Sequence, residues 1–186
     1  MEKNHVCPWW MGYVLLIPLR KYGQNPEKIL KDFVKPGMKV IDYGCAMGYF
    51  SLPLANMVGK AGKVYCFDIQ EKMLDKLSSR AKNAGVESIV EPRLVKNEDD
   101  IFIGLEETAN FALLFAVVHE VPDKEKLFRD IFQMLKPGGR VLFAEPKGHI
   151  NTTDFENSSD RAKKAGFKPV SKLNISRSHA VLFEKI

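Results

Sequence analysis

Two acids and a histidine, spaced around a glycine-rich turn and an apolar run, are the residues of this chain with the means to do chemistry. Asp42 stands just ahead of Gly44-Cys45-Ala46-Met47-Gly48, and Asp68 follows twenty residues after Gly48. His119, with Glu120 behind it, follows the apolar run Asn110–Ala116. A tight glycine turn opening a helix exposes bare backbone N–H groups, which favour a carboxylate or a phosphate. Asp42 favours a cationic group instead, so a ligand carrying both an amine and a carboxylate suits the pair better than a pyrophosphate does. An acid in the place of Asp68 can accept hydrogen bonds from both hydroxyls of a ribose; an ordinary helix N-cap is its plainer use. A histidine side chain ordinarily titrates near neutral pH, and His119 is the leading candidate for a general base. Its plainer use is to cap or pack the helix that follows. His149 and His5 are second candidates, and their spacing with Cys7 does not make a metal site.

The elements that must hold these residues can be read from pattern. Val40-Ile41-Asp42 and Val64–Asp68 are short apolar runs ending in acids, as in buried parallel strands. Between them a helix runs from the glycine turn to about Val58, with Pro53 tolerable because it lies near the first turn. Glu71–Ala84 is predicted as a helix burying Met73, Leu74 and Leu77, stopped by Gly85. Ile89–Val95 is a third strand in which Pro92 indicates an edge position or a bulge. Asn110–Ala116 is a fourth, central strand, and Lys124–Leu135 an amphipathic helix. Val141–Glu145 is a fifth strand. Asn151–Ala165 is a helix, and Phe167–Leu173 and Ala180–Glu184 are two closing strands. Ahead of all this, Asn25 caps a helix starting at Pro26.

The stretch D-Y-G-C-A-M-G, Asp42–Gly48, resembles the first motif, D/E-x-G-x-G-x-G, of the class I S-adenosylmethionine-dependent methyltransferases. The middle glycine is Ala46, small enough for the turn to tolerate. Val117–Asp123 looks like the V-L-H-E-V-x-D loop of many small-molecule methyltransferases, and Lys136–Arg140 like the turn before their fifth strand. The resemblance covers about Pro36–Pro146, with a weaker continuation, and is nearest to the quinone-pathway and arsenite-methyltransferase-like group. It implies a Rossmann-like, doubly wound α/β fold of about seven mostly parallel strands with a C-terminal antiparallel hairpin. It implies S-adenosyl-L-methionine as cofactor, held by Asp42, Gly44, Cys45, Ala46, Gly48, Asp68, Ile69, Asn97, Glu98 and Ala116. In that scheme Ile69 packs on the adenine, and Asn97 or Glu98, with Asp99 close behind, meets the adenine amine. His119 is the expected catalytic residue, although quinone-pathway enzymes carry an arginine there. Residues 1–35, with the Trp9-Trp10 pair, are expected to be a lid over a methyltransferase domain spanning 36–186; packing onto the core and an interfacial role are the alternatives.

Composition sets the bounds. At 186 residues with 45% hydrophobic and 27% charged residues, the chain has the make-up of a soluble globular protein. The formal charge of +5 is scattered, and its densest cluster, Arg161, Lys163, Lys164 and Lys168, reads as a solvated helix face rather than a nucleic-acid footprint. Three cysteines without ligand spacing suit a reducing cytoplasm and are too few to hold arsenite in the family's manner. The apolar Trp9–Leu19 is too short to span a bilayer and has no secretory-signal pattern. No Asn/Asp-Pro-Pro-Tyr/Phe follows the fourth strand, which disfavours a nucleobase amine and leaves a small-molecule acceptor. A homodimer is left open. The rivals are a nicotinamide-dependent oxidoreductase, whose G-x-G-x-x-G would want a small residue near Tyr49, and a non-catalytic S-adenosylmethionine-binding protein.

Overall fold

The computed structural model describes Gly12, Leu16 and residues 20–96 and 104–186. The chain divides into two compact units, one ending at Ile101 and the next starting at Phe102.

The first unit is a parallel three-stranded layer in the order β3-β2-β1. β1 (Lys39–Tyr43) pairs with β2 (Lys63–Asp68) from Lys39↔Lys63 to Tyr43↔Phe67. β2 pairs with β3 (Val90–Leu94) from Val64↔Val90 to Asp68↔Leu94. Val40, Ile41, Val64, Cys66 and Phe67 are buried on both sides of the layer, which explains why these strands read as continuous apolar runs. Pro92 lies in the edge strand opposite Cys66, where a missing N–H costs no ladder bond. Among the elements described ahead of β1 are two short helices, α1 (Arg20–Gly23) and α2 (Pro26–Leu30), the latter capped by Asn25, whose side chain accepts from the Lys28 N–H at 3.2 Å. The crossovers between the strands are α3 (Ser51–Val58) and α4 (Glu71–Asn83). Met73, Leu74, Leu77 and Ala81 form the buried stripe of α4, at the predicted helical spacing.

The second unit has the order β4-β5-β7-β6. β4 (Ala109–Phe115) and β5 (Leu135–Pro146) are parallel, joined through a single turn of 3₁₀-helix, Val118–Glu120, and α5 (Lys124–Met134). β7 (Ser178–Lys185) is antiparallel to both β5 and β6 (Phe167–Lys172), the closing hairpin expected from the pattern. α6 (Thr152–Lys164) precedes that hairpin, and the Asn151 side chain accepts from the Asp154 N–H at 2.9 Å.

One element differs from expectation. Lys136–Gly139 is no separate turn, because β5 already begins at Leu135. Ala109 faces Leu135 and Phe111 faces Arg140, so two steps along β4 match five along β5 and the Lys-Pro-Gly-Gly segment is extruded as a wide bulge. The same residues serve a reversal or a bulge, since both need Gly138 in a left-handed conformation (φ +76°).

Candidate functional site

Each unit carries part of the predicted constellation. In the first, the backbone leaves β1 and is folded back at once: the N–H groups of Gly44 and Cys45 donate to the Phe67 carbonyl at 2.9 and 3.1 Å. Three residues of the turn take positive φ, Gly44 at +73°, Ala46 at +47° and Gly48 at +81°. Ala46 therefore occupies the left-handed region in place of a glycine. Its strain is opposed by a bond across the turn, in which the Ala46 N–H donates to Asp68 Oδ2 at 2.9 Å. The other oxygen, Oδ1, accepts from the Gln70 N–H at 2.9 Å. Burial pushes the Asp68 carboxyl up from its ordinary range, and the N–H groups of Gln70, Ala46 and Ile69 pull against that. The acid thus ties the end of β2 to the glycine turn, beside Ile69, an apolar side chain left 51% exposed.

Asp42 is 3% exposed and accepts from Ser51 Oγ, the first residue of α3, at 2.6 Å. It fixes the turn from beneath and places negative charge under it. The Arg80 guanidinium donates to the Met47 carbonyl on the turn's other flank. Tyr49 Oη donates to the Gln24 carbonyl at 2.9 Å, which ties the segment before β1 to the same turn. Phe50 supplies no capping side chain to α3, so the positive end of that helix favours an anionic group. Cys45 is buried, and desolvation, its hydrogen bond with the Cys66 thiol and the charges of Cys66, Asp42 and Asp68 raise its thiol well above the usual range. It is a small, protonated wall residue and not a nucleophile.

In the second unit, Ala116 closes β4 at φ +57°, its N–H donating to the Ala144 carbonyl at 2.8 Å. His119 sits in the 3₁₀ turn that follows, anchored by the buried Val118. It does not cap α5: that is Asp123, whose side chain accepts from the Lys126 N–H at 2.8 Å. His119 instead meets Glu145 at the end of β5, with Nδ1 2.6 Å from Oε2 and its backbone N–H donating to Oε1 at 3.2 Å. Burial pulls the imidazole's proton affinity down, but the hydrogen bond and charge of Glu145, with Glu120, outweigh it and hold His119 above its ordinary value. The His149 ring packs edge-on against it at 5.6 Å.

Of the predicted residues, Asp42, Gly44, Cys45, Ala46, Gly48, Asp68 and Ile69 come together around one turn. His119, His149 and Ala116 belong to the second unit, while Asn97, Glu98, Asp99, His5, Cys7, Trp9 and Trp10 lie outside the described residues. Ser51 and Arg80, and the pairing of Glu145 with His119, were not read from the sequence. The one available signal was an acid ending the otherwise apolar Val141–Ala144. Among the described residues no group of His, Cys, Asp and Glu could hold a metal ion, and no helix is long and apolar enough to cross a membrane.

The methyltransferase domain family matches residues 34–177. The ubiquinone/menaquinone biosynthesis C-methyltransferase UbiE of Cronobacter sakazakii is 32% identical over 112 residues, 60% of this chain and 44% of that protein. The enzyme of the same name from Haemophilus ducreyi is 30% identical over 139 residues, 72% of this chain and 52% of its own length. The chain thus spans about half the length of the curated relatives it matches. Among solved structures, a SAM-dependent methyltransferase from Aquifex aeolicus superposes with a TM-score of 0.85 at 23% identity, over 97% of this chain and 100% of that one. That likeness shows the fold, the Rossmann-like α/β architecture of seven mostly parallel strands with an antiparallel C-terminal hairpin. The chain belongs to the methyltransferase domain family, of the class I S-adenosylmethionine-dependent kind, and is similar to the quinone-pathway C-methyltransferases.

Proposed function

We propose that the protein transfers a methyl group from S-adenosylmethionine to a small-molecule acceptor. The observation that carries this reading is the Asp68 bridge: one carboxylate anchored to the glycine turn through Ala46 and to its own strand end through Gln70. An acid held there has lone pairs left for sugar hydroxyls, with Ile69 exposed alongside for an apolar ring. The residues present also fit the ligand's amino-acid tail, since Asp42 lends negative charge under the turn and the start of α3 lends positive. When bound, the sulfonium supplies an already activated methyl group. What remains for the protein is positioning, exclusion of water and removal of any proton the acceptor must lose.

In this reading Asp42, Gly44, Cys45, Ala46 and Gly48 form the cradle, Asp68 and Ile69 hold the nucleoside, and Asn97, Glu98 and Ala116 complete it. His119 serves as the base. Residues 1–35 act as a lid over the domain spanning 36–186. The lid is supported by the tie from Tyr49 to Gln24 and by Gly12, which is buried so closely that a Cβ there would stand 2.8 Å from Met73 Sδ and 2.9 Å from Met47 Cε. The quinone-pathway relatives make a quinone-like ring the first acceptor to try. Two buried free thiols, Cys45 and Cys66, suit a reducing compartment, and we infer a cytoplasmic enzyme that does not engage nucleic acid. Light scattering decides between a monomer and a homodimer.

Calorimetry with S-adenosylhomocysteine and with NAD tests the reading. Micromolar binding of the former and none of the latter is expected, followed by release of S-adenosylhomocysteine from S-adenosylmethionine in the presence of a panel of small hydroxylated and quinol acceptors. Binding of NAD in place of the nucleoside product overturns the proposal, and donor binding with no turnover across a broad panel points to the non-catalytic alternative.

A further inference from the structure

We propose that Glu145 is a positioning residue for His119, holding the imidazole with its hydrogen on Nδ1 so that Nε2 stands ready as the proton acceptor. The inference rests on the methyl-transfer reading and concerns its base.

Glu145 ends β5 and is 2% exposed, an uncommon setting for a carboxylate. A charge in such a place is costly unless it is paired and hydrogen-bonded. Both of its oxygens are turned to one residue, Oε1 to the His119 backbone N–H at 3.2 Å and Oε2 to Nδ1 at 2.6 Å. An ionised carboxylate has no hydrogen to give, so a contact this short requires the hydrogen on Nδ1. The grip on backbone and ring together fixes the turn and the ring's orientation in one stroke, across twenty-six residues of sequence. Nε2 is the nitrogen left over: Glu120 Oε1 lies 3.8 Å away, beyond hydrogen-bonding distance.

The charged and titratable groups around the ring come from every neighbouring element: Glu145 from β5, Glu120 from the turn itself, Lys124 from the start of α5 and His149 from the segment after β5. The carboxylates outweigh Lys124, which accords with an imidazole held above its ordinary proton affinity. In the step assigned to it, the Nε2 lone pair takes the proton from the acceptor's nucleophilic atom. The electron pair freed there forms the bond to the methyl carbon while the carbon–sulfur pair returns to the donor's sulfur. The imidazolium, neutralised by Glu145, then gives its proton to water, and the ring is restored.

The test is long-range proton–nitrogen NMR on protein labelled with nitrogen-15 at histidine, with the His119 signals assigned by their loss in His119→Gln. Neutral His119 in the unaltered protein is expected as the Nδ1–H tautomer, titrating above the free imidazole. In Glu145→Gln the amide can donate to Nδ1, so the tautomer should reverse to Nε2–H and the midpoint fall; Glu145→Asp should restore part of both. Affinity for S-adenosylhomocysteine, measured by calorimetry, should stay within about twofold in both variants. An Nε2–H tautomer in the unaltered protein, or an unchanged midpoint in Glu145→Gln, overturns the proposal. Should Glu145→Gln fail to fold, the tautomer and midpoint of the unaltered protein decide alone. Absence of S-adenosylhomocysteine binding would sink the donor reading separately, leaving the tautomer result to stand or fall by itself.

Discussion

Replacing Gly48 by alanine tests the geometry on which the proposed cofactor cradle depends. Gly48 sits at φ +81°, and a Cβ built there would collide with Cδ1 of Leu77. Leu77 is fully buried on α4, so it has no solvent side to yield toward. Two costs combine. Holding an L-residue in the left-handed region costs about 1–2 kcal/mol, and forcing an extra methyl into a packed core costs about 1–3 kcal/mol more. The total, roughly 2–5 kcal/mol, is a large fraction of the 5–15 kcal/mol that stabilises an ordinary domain. With a urea dependence of about 2 kcal/mol per molar, the midpoint should drop by about 1–2.5 M. The reciprocal change, Ala46→Gly, has the opposite sign. It removes about 1–2 kcal/mol of left-handed strain and adds about 0.5–1 kcal/mol of unfolded-chain entropy, so the midpoint should hold or rise by up to about 0.75 M. Urea melts of both variants, followed by circular dichroism, are sufficient. If Gly48→Ala melts with the unaltered protein, or Ala46→Gly loses more than about 0.5 M, the turn does not have the conformation described and the cradle built on it is wrong.

Three further outcomes follow from the site. Asp68→Asn replaces one accepting oxygen by an NH₂ group facing a backbone N–H, while relieving the burial of a charge; stability should change by less than about 2 kcal/mol. S-adenosylhomocysteine affinity, read by calorimetry, should fall about 10–100-fold as charge-assisted hydrogen bonds to the sugar are lost. Ser51→Ala removes the 2.6 Å bond to the buried Asp42 and should cost about 1–3 kcal/mol in a urea melt. The pH dependence has a definite sign. Because His119 binds its proton more tightly folded than unfolded, it contributes stability in full below the free imidazole's value and loses it as pH rises through the higher folded value. The stability gap between the unaltered protein and His119→Gln should therefore narrow from about pH 6 to pH 9, and an equal gap at both ends would contradict the His119–Glu145 pair.

Those results bear on how much of the molecule can be read from its residues alone. The strands and helices were legible because each is declared locally. Val64–Asp68 and Asn110–Ala116 are unbroken apolar runs that only a two-sided burial explains, and Asn25 and Asn151 mark the helix starts that the structure shows capped. Pro92 fixed the edge position of β3 for the same local reason, its missing N–H. The extruded Lys136–Gly139 segment was not legible, since a reversal and a bulge demand the same glycine conformation and differ only in what lies across the ladder. β7 likewise begins at Ser178 and not at Ala180 because its pairing with Pro146 and Glu145 extends it.

The residues of the proposed cradle could be picked out, but the contacts that hold them could not. Asp42, Asp68 and the glycines announce themselves by type and spacing. What makes them work is a set of contacts that no spacing records: Ser51 on Asp42 nine residues away, Ala46 on Asp68 twenty-two away, Arg80 on Met47 thirty-three away. His119 shows the distinction most sharply. By pattern its plainer use was to cap or pack the start of the next helix, with a base as the sharper alternative. Asp123 takes the cap, which frees the histidine from that duty, and a buried carboxylate from β5 pairs with its ring and raises its proton affinity. That pairing is what the proposed role of His119 as a base rests on. The resemblance to the quinone-pathway enzymes implies an arginine, which stays protonated and cannot accept a proton at neutral pH, where this chain has an imidazole backed by a carboxylate. The acceptor here is therefore expected to surrender its proton to His119. The rate of methyl transfer to a suitable acceptor should climb with pH through the midpoint of the His119 titration and then level off; a flat profile across that range would remove the base from the mechanism.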